Sequence, residues 1–170
     1  YLRHSFDFKR MDGMSTLTKE LELLDAYLYI EKTRFGDRLQ VEYDIDEALD
    51  FPMPPLILQP LIENAVRHGL MARITGGTVS VSIKQQGGEA VFTITDNGVG
   101  LDANKLKGLL ENNTEERGIG VWNINQRLKM IYNKELTINS DKVHGTQVTF
   151  ELPVKNNKSY AKKHNKSRKK

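Results

Sequence analysis

Residue types suited to binding a metal-bound polyphosphate recur at four places along this chain. In Leu58–Gly69, LQPLIENAVRHG, helical spacing puts Glu63, Asn64, Arg67 and His68 on one side and Leu58, Leu61, Ile62, Ala65 and Val66 on the other. The Asn64 carboxamide oxygen is a hard ligand of the kind Mg2+ accepts beside water and phosphate. Arg67 and His68 supply basic groups for anionic oxygens, with Asn64 and His68 one turn apart. Further on come Asp96-Asn97-Gly98-Val99-Gly100, then Gly118-Ile119-Gly120, then Gly145-Thr146. Gly98 and Gly100 let backbone approach a flat ligand or take positive φ. Gly118 and Gly120, on either side of Ile119 and directly before a helical pattern, can turn free N–H groups toward phosphate oxygens.

Alternation adds a direction to two of these groups. Phe92, Ile94 and Asp96 share one strand face, and Thr146 shares a face with Val148, Phe150 and Leu152. If the apolar residues face a helical layer, Asp96 and Thr146 enter that layer too. A covered carboxylate is costly unless something hydrogen-bonds it. The amino group of an adenine would serve Asp96, with Thr146 at the base edge or acting through water. Taken singly, each motif has a plainer alternative: Asp-Asn-Gly is a common turn, Gly-x-Gly a common hinge, and Asn64 a solvated helix-face amide.

The elements that must hold these groups follow from period and punctuation. Thr16–Phe35 reads as a helix ended by Gly36, with Leu21, Leu24, Leu28 and Glu31 at helical spacing, and Leu39–Ile45 alternates as a strand. Phe51–Pro55 reads as irregular, leading into a Leu56–Leu70 helix. Thr78–Gln85 and Ala90–Asp96 alternate around a Gly87-Gly88 turn. Leu101–Arg117 is polar and reads as a mobile loop with a short helix. Val121–Tyr132 is a helix, and Glu135–Ser140 and Thr146–Pro153 are closing strands. This order predicts an α/β two-layer sandwich, a mixed and mostly antiparallel sheet covered on one face by helices.

Composition bounds the rest. The 170 residues suit one domain, and no window approaches the roughly 20 apolar residues of a membrane span. With no cysteine, disulfides and thiolate metal sites are excluded. The net charge of +3 includes +8 from Lys155–Lys170, which leaves −5 on residues 1–154. The body is mildly acidic, and the basic tail reads as a solvated, disordered end.

The four motifs in this order and spacing resemble the GHKL superfamily of ATP-binding domains. Within it, LQPLIENAVRHG, DNGVG, GIGVWNINQRL and GTQVTFELP are similar to the LytS-type sensor histidine kinases, as is YIEKTRFGDRLQVEYDID upstream. The likeness extends from Tyr1 to Pro153. It implies Asn64 as Mg2+ ligand, Arg67 and His68 near the phosphates, and Asp96 accepting from the adenine amino group. It implies Gly98 and Gly100 lining the base, Gly118, Ile119 and Gly120 at the phosphates, and Thr146 completing the adenine pocket. Asn123 and Arg127 match the family pattern, but an i,i+4 surface pair accounts for them equally well.

By the same resemblance the cofactors are ATP and Mg2+, and the partners a response regulator and a second kinase subunit, with no nucleic acid expected. The chain is then the cytoplasmic domain of a bacterial membrane protein: residues 1–35 end the dimerisation and phosphoacceptor region with its connecting helix, 36–154 form the ATP-binding catalytic domain, and 155–170 the tail. The loop at Leu101–Arg117 would close over the phosphates. Two departures stand out. Hydrolysing members of the superfamily carry a water-orienting glutamate one turn before the asparagine, where this chain has Pro60. The family's acceptor histidine lies upstream of everything in this sequence, and His4, His144 and His164 read as ordinary exposed histidines.

Overall fold

Thr16 starts the first helix, its hydroxyl accepting from the Lys19 amide at 3.3 Å, and the left-handed Gly36 (φ +56°) stops it. The computed structural model describes residues 13–70, 73–102 and 119–154, with backbone alone for 68–70 and 119. The expectations for His4, His164, the loop beyond Asp102, Gly118, the side chains of His68 and Ile119, and the basic tail lie outside the described residues.

Helix α1 spans Leu17–Phe35 and β2 spans Leu39–Ile45, both as the periodicity predicts. The Pro-rich stretch differs from expectation. Pro52–Met53 forms a short strand, β3, antiparallel to β1 (Ser15–Thr16), because the proline sits where a two-stranded edge needs little from its nitrogen. The predicted Leu56–Leu70 helix is also modified. It is α-helical over Leu58–Asn64 (α2), then continues as a π-helical turn over Ala65–Leu70. One turn of i→i+5 bonding leaves an apolar stripe intact, so period alone cannot reveal it.

Strands β4 (Gly77–Gln86) and β5 (Glu89–Asp96) form the expected hairpin. Helix α3 (Ile119–Tyr132) precedes β6 (Thr137–Asp141) and β7 (Gly145–Pro153). The five-stranded sheet has the order β2-β4-β5-β7-β6, with β2 and β4 parallel and every other pair antiparallel. This is the predicted mixed α/β sandwich.

Strand parity holds throughout. Val79, Val81 and Ile83, then Ala90, Phe92 and Ile94, then Val148, Phe150 and Leu152 are buried, with Phe92 and Phe150 stacked at 4.5 Å. Against them pack Leu24 and Leu28 of α1, Leu58, Leu61, Ile62 and Val66 of the second helix, and Val121, Ile124 and Leu128 of α3. The inward row of α1 is Leu17, Glu20, Leu24 and Leu28, with Leu21 at its edge, so a carboxylate occupies a core position. Among the described residues, no helix is long and apolar enough to cross a membrane.

Candidate functional site

The sheet ends in a row of four inward positions. Val79 pairs with Asp96, Asp96 with Thr146, and Thr146 with Ser140, one from each of β4, β5, β7 and β6. The neighbours along each strand are apolar and face the helices, so Asp96 and Thr146 share the covered layer, as strand parity predicts. Asp96 is only 4% exposed. Its Oδ1 accepts from the Gly98 amide at 2.9 Å, and the Thr146 amide also bonds the carboxylate. Burial pushes the Asp96 carboxyl up from its ordinary value, and these two amides hold it back in part.

Asn97 shows why Asp-Asn-Gly is more than a turn. Its Oδ1 accepts from Thr78 N at 2.8 Å while its own amide donates to Thr78 O at 3.3 Å. The Arg73 guanidinium caps the Asn97 carbonyl, and Arg38 donates to the Arg73 carbonyl at 3.0 Å. Asn97 thus prolongs the ladder past Asp96 and fixes where the aspartate points.

Two glycines let the walls close. Gly100 (φ +61°) sits against the β6–β7 hairpin, where an added Cβ would lie 1.8 Å from the Asp141 carbonyl oxygen. Gly145 (φ +89°) lies against β5, with the Asp96 carbonyl oxygen 2.1 Å from an added Cβ. Both conformation and space demand glycine. Gly145→Ala is expected to cost about 3 kcal/mol, from left-handed strain plus overpacking. Urea unfolding checks this, and an unchanged midpoint would contradict the close approach.

Asn64, half-buried, closes the α-helical part of the second helix, and the π-turn after it packs on β4, β5 and β7. Its Nδ2 lies 3.9 Å from where a Gly120 Cβ would be. The asparagine and the glycine of α3's first turn, 56 residues apart in sequence, therefore face each other. Arg67 is exposed and paired with Glu63 at 3.0 Å, an i,i+4 contact along one helix face. His144 is exposed and bonds Asp141, the ordinary role expected of it; its ring and the Val143 and His144 amides pull the Asp141 carboxyl down to about 2.

Two residues at work here, Glu20 and Ser140, escape a reading of the sequence by motif, and a third, Arg127, takes its role only from the fold. The Glu20 carboxylate accepts from the amides of Leu56, Ile57 and Leu58 at 2.8, 2.9 and 3.3 Å, capping the second helix from another element. Arg127 takes the carbonyls of the same turn, Pro55 at 2.6 Å and Leu56 at 3.4 Å. It is a clamp between α3 and the start of α2, which replaces the i,i+4 surface-pair account. Ser140 bonds the Leu101 amide, the Gly145 carbonyl and the Thr146 hydroxyl. For Glu20 the signal was an acid inside an apolar stripe; Ser140 carries none that is local, and Arg127 only its place in GIGVWNINQRL.

Comparison with known proteins decides the family. Residues 54–156 match the family described as histidine kinase-, DNA gyrase B-, and HSP90-like ATPase. The chain belongs to this family. Its matched region includes Asn64, Asp96, Gly120 and Thr146, and the family assignment makes it an ATP-binding domain. The chain is 45% identical over 151 residues to the uncharacterized protein YwpD of Bacillus subtilis, covering 88% of this chain and 54% of that protein. It is 35% identical over 154 residues to the sensor protein LytS of Oceanobacillus iheyensis, covering 85% of this chain and 26% of that one. It spans between a quarter and just over half of these relatives' lengths. The fold is that of the catalytic domain of histidine kinase ThkA, with a TM-score of 0.64 at 10% identity over 83% of this chain and 97% of that domain.

Proposed function

We propose that this chain binds Mg-ATP and presents its γ-phosphoryl group to a histidine on another segment or subunit of a two-component sensor kinase. The observation that carries the reading is a buried carboxylate, Asp96, in register with Thr146 at the sheet end, on the same side as the helix bearing Asn64. Asp96 accepts from the adenine amino group; Thr146, Gly98 and Gly100 complete the walls around the base. The family likeness assigns Gly118, Ile119, Gly120, Arg67 and His68 to the phosphates. Asn64 would hold the ion through its carboxamide oxygen, an oxygen ligand of the hard kind that Mg2+ accepts beside phosphates and water. The ion would neutralise charge developing on the transferred group.

The transfer is an in-line displacement. A ring nitrogen of the acceptor histidine bonds to the γ-phosphorus while the bond to the β,γ-bridging oxygen breaks, and ADP leaves with the electron pair. The domain's contribution is positioning and electrostatics, since the nucleophile comes from elsewhere. Pro60 stands where a water-orienting acid would be needed, and Glu63 is engaged with Arg67. Both favour transfer over hydrolysis.

The LytS likeness and the partial coverage of its relatives support a response regulator as the downstream partner and a second kinase subunit as the upstream one. They also support a membrane-anchored, cytoplasm-facing parent protein. In that reading residues 1–35 are the end of the acceptor region, 36–154 the catalytic domain and 155–170 a tail. Helix α1 then connects the two, its inner row set in the catalytic core.

The deciding assay is label transfer from γ-labelled ATP to an added upstream fragment containing the acceptor histidine. Wild type is expected to label it and Asn64→Ala to lose at least about tenfold in rate, the scale of one misplaced phosphate-holding group. Steady ATP hydrolysis by the chain alone, lost in Asn64→Ala, with no label on the fragment, would instead identify an ATPase module that drives conformational change.

A further inference from the structure

The hydroxyl of Ser140 has three polar neighbours and one proton. The Leu101 amide donates to it at 2.8 Å, the Gly145 carbonyl lies at 2.9 Å, and Thr146 Oγ1 lies at 2.8 Å. A carbonyl oxygen only accepts, so the Ser140 proton goes to Gly145. The contact with Thr146 then needs the proton of Thr146. That threonine donates to Ser140 and has only lone pairs left for anything else.

Beside it in the same row stands Asp96, an acceptor when ionised. We infer that Ser140 is a specificity-determining positioning residue: by taking the Thr146 proton it makes the base-reading edge accept only, so that a 6-aminopurine is admitted and a 6-oxopurine refused. The inference rests on the reading of Asp96 and Thr146 as the adenine edge. An adenine presents an N–H2 group there. Where Asp96 and Thr146 both face the 6-substituent, a hypoxanthine presents them a carbonyl oxygen, which would meet two acceptors with no donor between them. Sites built to pair one polar group reject the mismatched analogue strongly, because buried groups are then left unpaired.

Without Ser140 the threonine hydroxyl is free to rotate and donate. It can then serve the 6-oxo group, and the edge becomes tolerant. Ser140 itself touches no ligand atom in this scheme. Its effect is therefore on selectivity, whereas mere loosening of the β6–β7 hairpin would weaken both nucleotides alike.

The test is calorimetric binding of Mg-ATP and Mg-ITP to the whole 170-residue chain. Wild type is expected to prefer ATP, and Ser140→Ala to reduce that preference by about tenfold, the scale of one hydrogen bond made instead of refused. Ser140→Thr, which keeps the hydroxyl, should restore the wild-type ratio. Circular dichroism melts report folding. Should the alanine variant fail to fold, Ser140→Cys carries the same test, because a thiol is a poor acceptor. An unchanged ATP-to-ITP ratio in a folded variant would overturn the role of Ser140 while leaving the adenine site standing. Wild type binding neither nucleotide, or both equally, would overturn the site reading and this inference with it.

Discussion

Asp96→Asn is expected to weaken ATP binding by roughly 1.5–3 kcal/mol, about 10- to 150-fold in Kd, with the fold retained. The oxygen of the asparagine can still accept from Gly98, but its NH2 group would confront the adenine amino group, donor against donor. Stability should hold or rise slightly. The folded pKa of Asp96 lies above its ordinary value, so the native state binds the proton more tightly than the unfolded chain does. Between the ordinary value of 3.8 and the raised one, wild-type stability falls as pH rises, and the cost of ionising the buried group persists above that window. The asparagine variant lacks this cost. ATP affinity of the wild type should fall as pH drops through the raised pKa, since a protonated carboxyl loses acceptor capacity, and the variant should lack that step. Equal affinities by calorimetry at neutral pH would remove Asp96 from the adenine site.

Glu20→Ala is expected to lose about 3 kcal/mol of stability, as much as Gly145→Ala, since buried amide donors left without an acceptor cost roughly 1–3 kcal/mol each and entering water recovers part of it. The turn it holds is unusual: Leu56 has φ +57°, strained for a branched side chain. Glu20 takes the N–H groups of that turn and Arg127 takes its carbonyls. Removing the carboxylate leaves the guanidinium and the helix N-terminus without the negative charge that both favour. Because Asn64 lies two turns further along the same helix, ATP affinity should fall along with stability. Glu20→Gln, which keeps one oxygen, should lose less. Urea midpoints for the two variants and wild type check the order, and a Glu20→Ala midpoint equal to wild type would show that water replaces the cap without cost.

The clamp also shows which parts of the site a chain announces and which it conceals. The alternation of Ala90–Asp96 and Thr146–Pro153 specified strand faces, and with them the shared burial of Asp96 and Thr146. The stripe of Leu58, Leu61, Ile62, Ala65 and Val66 specified the buried side of the Asn64 helix, and all five are buried. Gly36 and Gly87-Gly88 marked element ends. Each of these signals spans a few residues, and side-chain direction in a helix or strand repeats over that distance. The π-turn at Ala65–Leu70 and the β1–β3 pair were hidden, because one widened turn or a two-residue strand leaves too short a pattern to read.

Tertiary structure alone decided the long-range polar pairings. Glu20 reaches backbone 36 to 38 residues away, Arg127 reaches back 71 and 72, and Leu101 finds Ser140 39 residues on. A backbone amide or carbonyl has the same chemistry at every position, so no residue type in the sequence names the partner it will take. Local order, charge and the four binding motifs are written in residue identity and spacing. Which serine holds a threonine's proton, and which acid caps a distant helix, depends on strand order and helix packing, for only the folded chain brings those groups within hydrogen-bonding range.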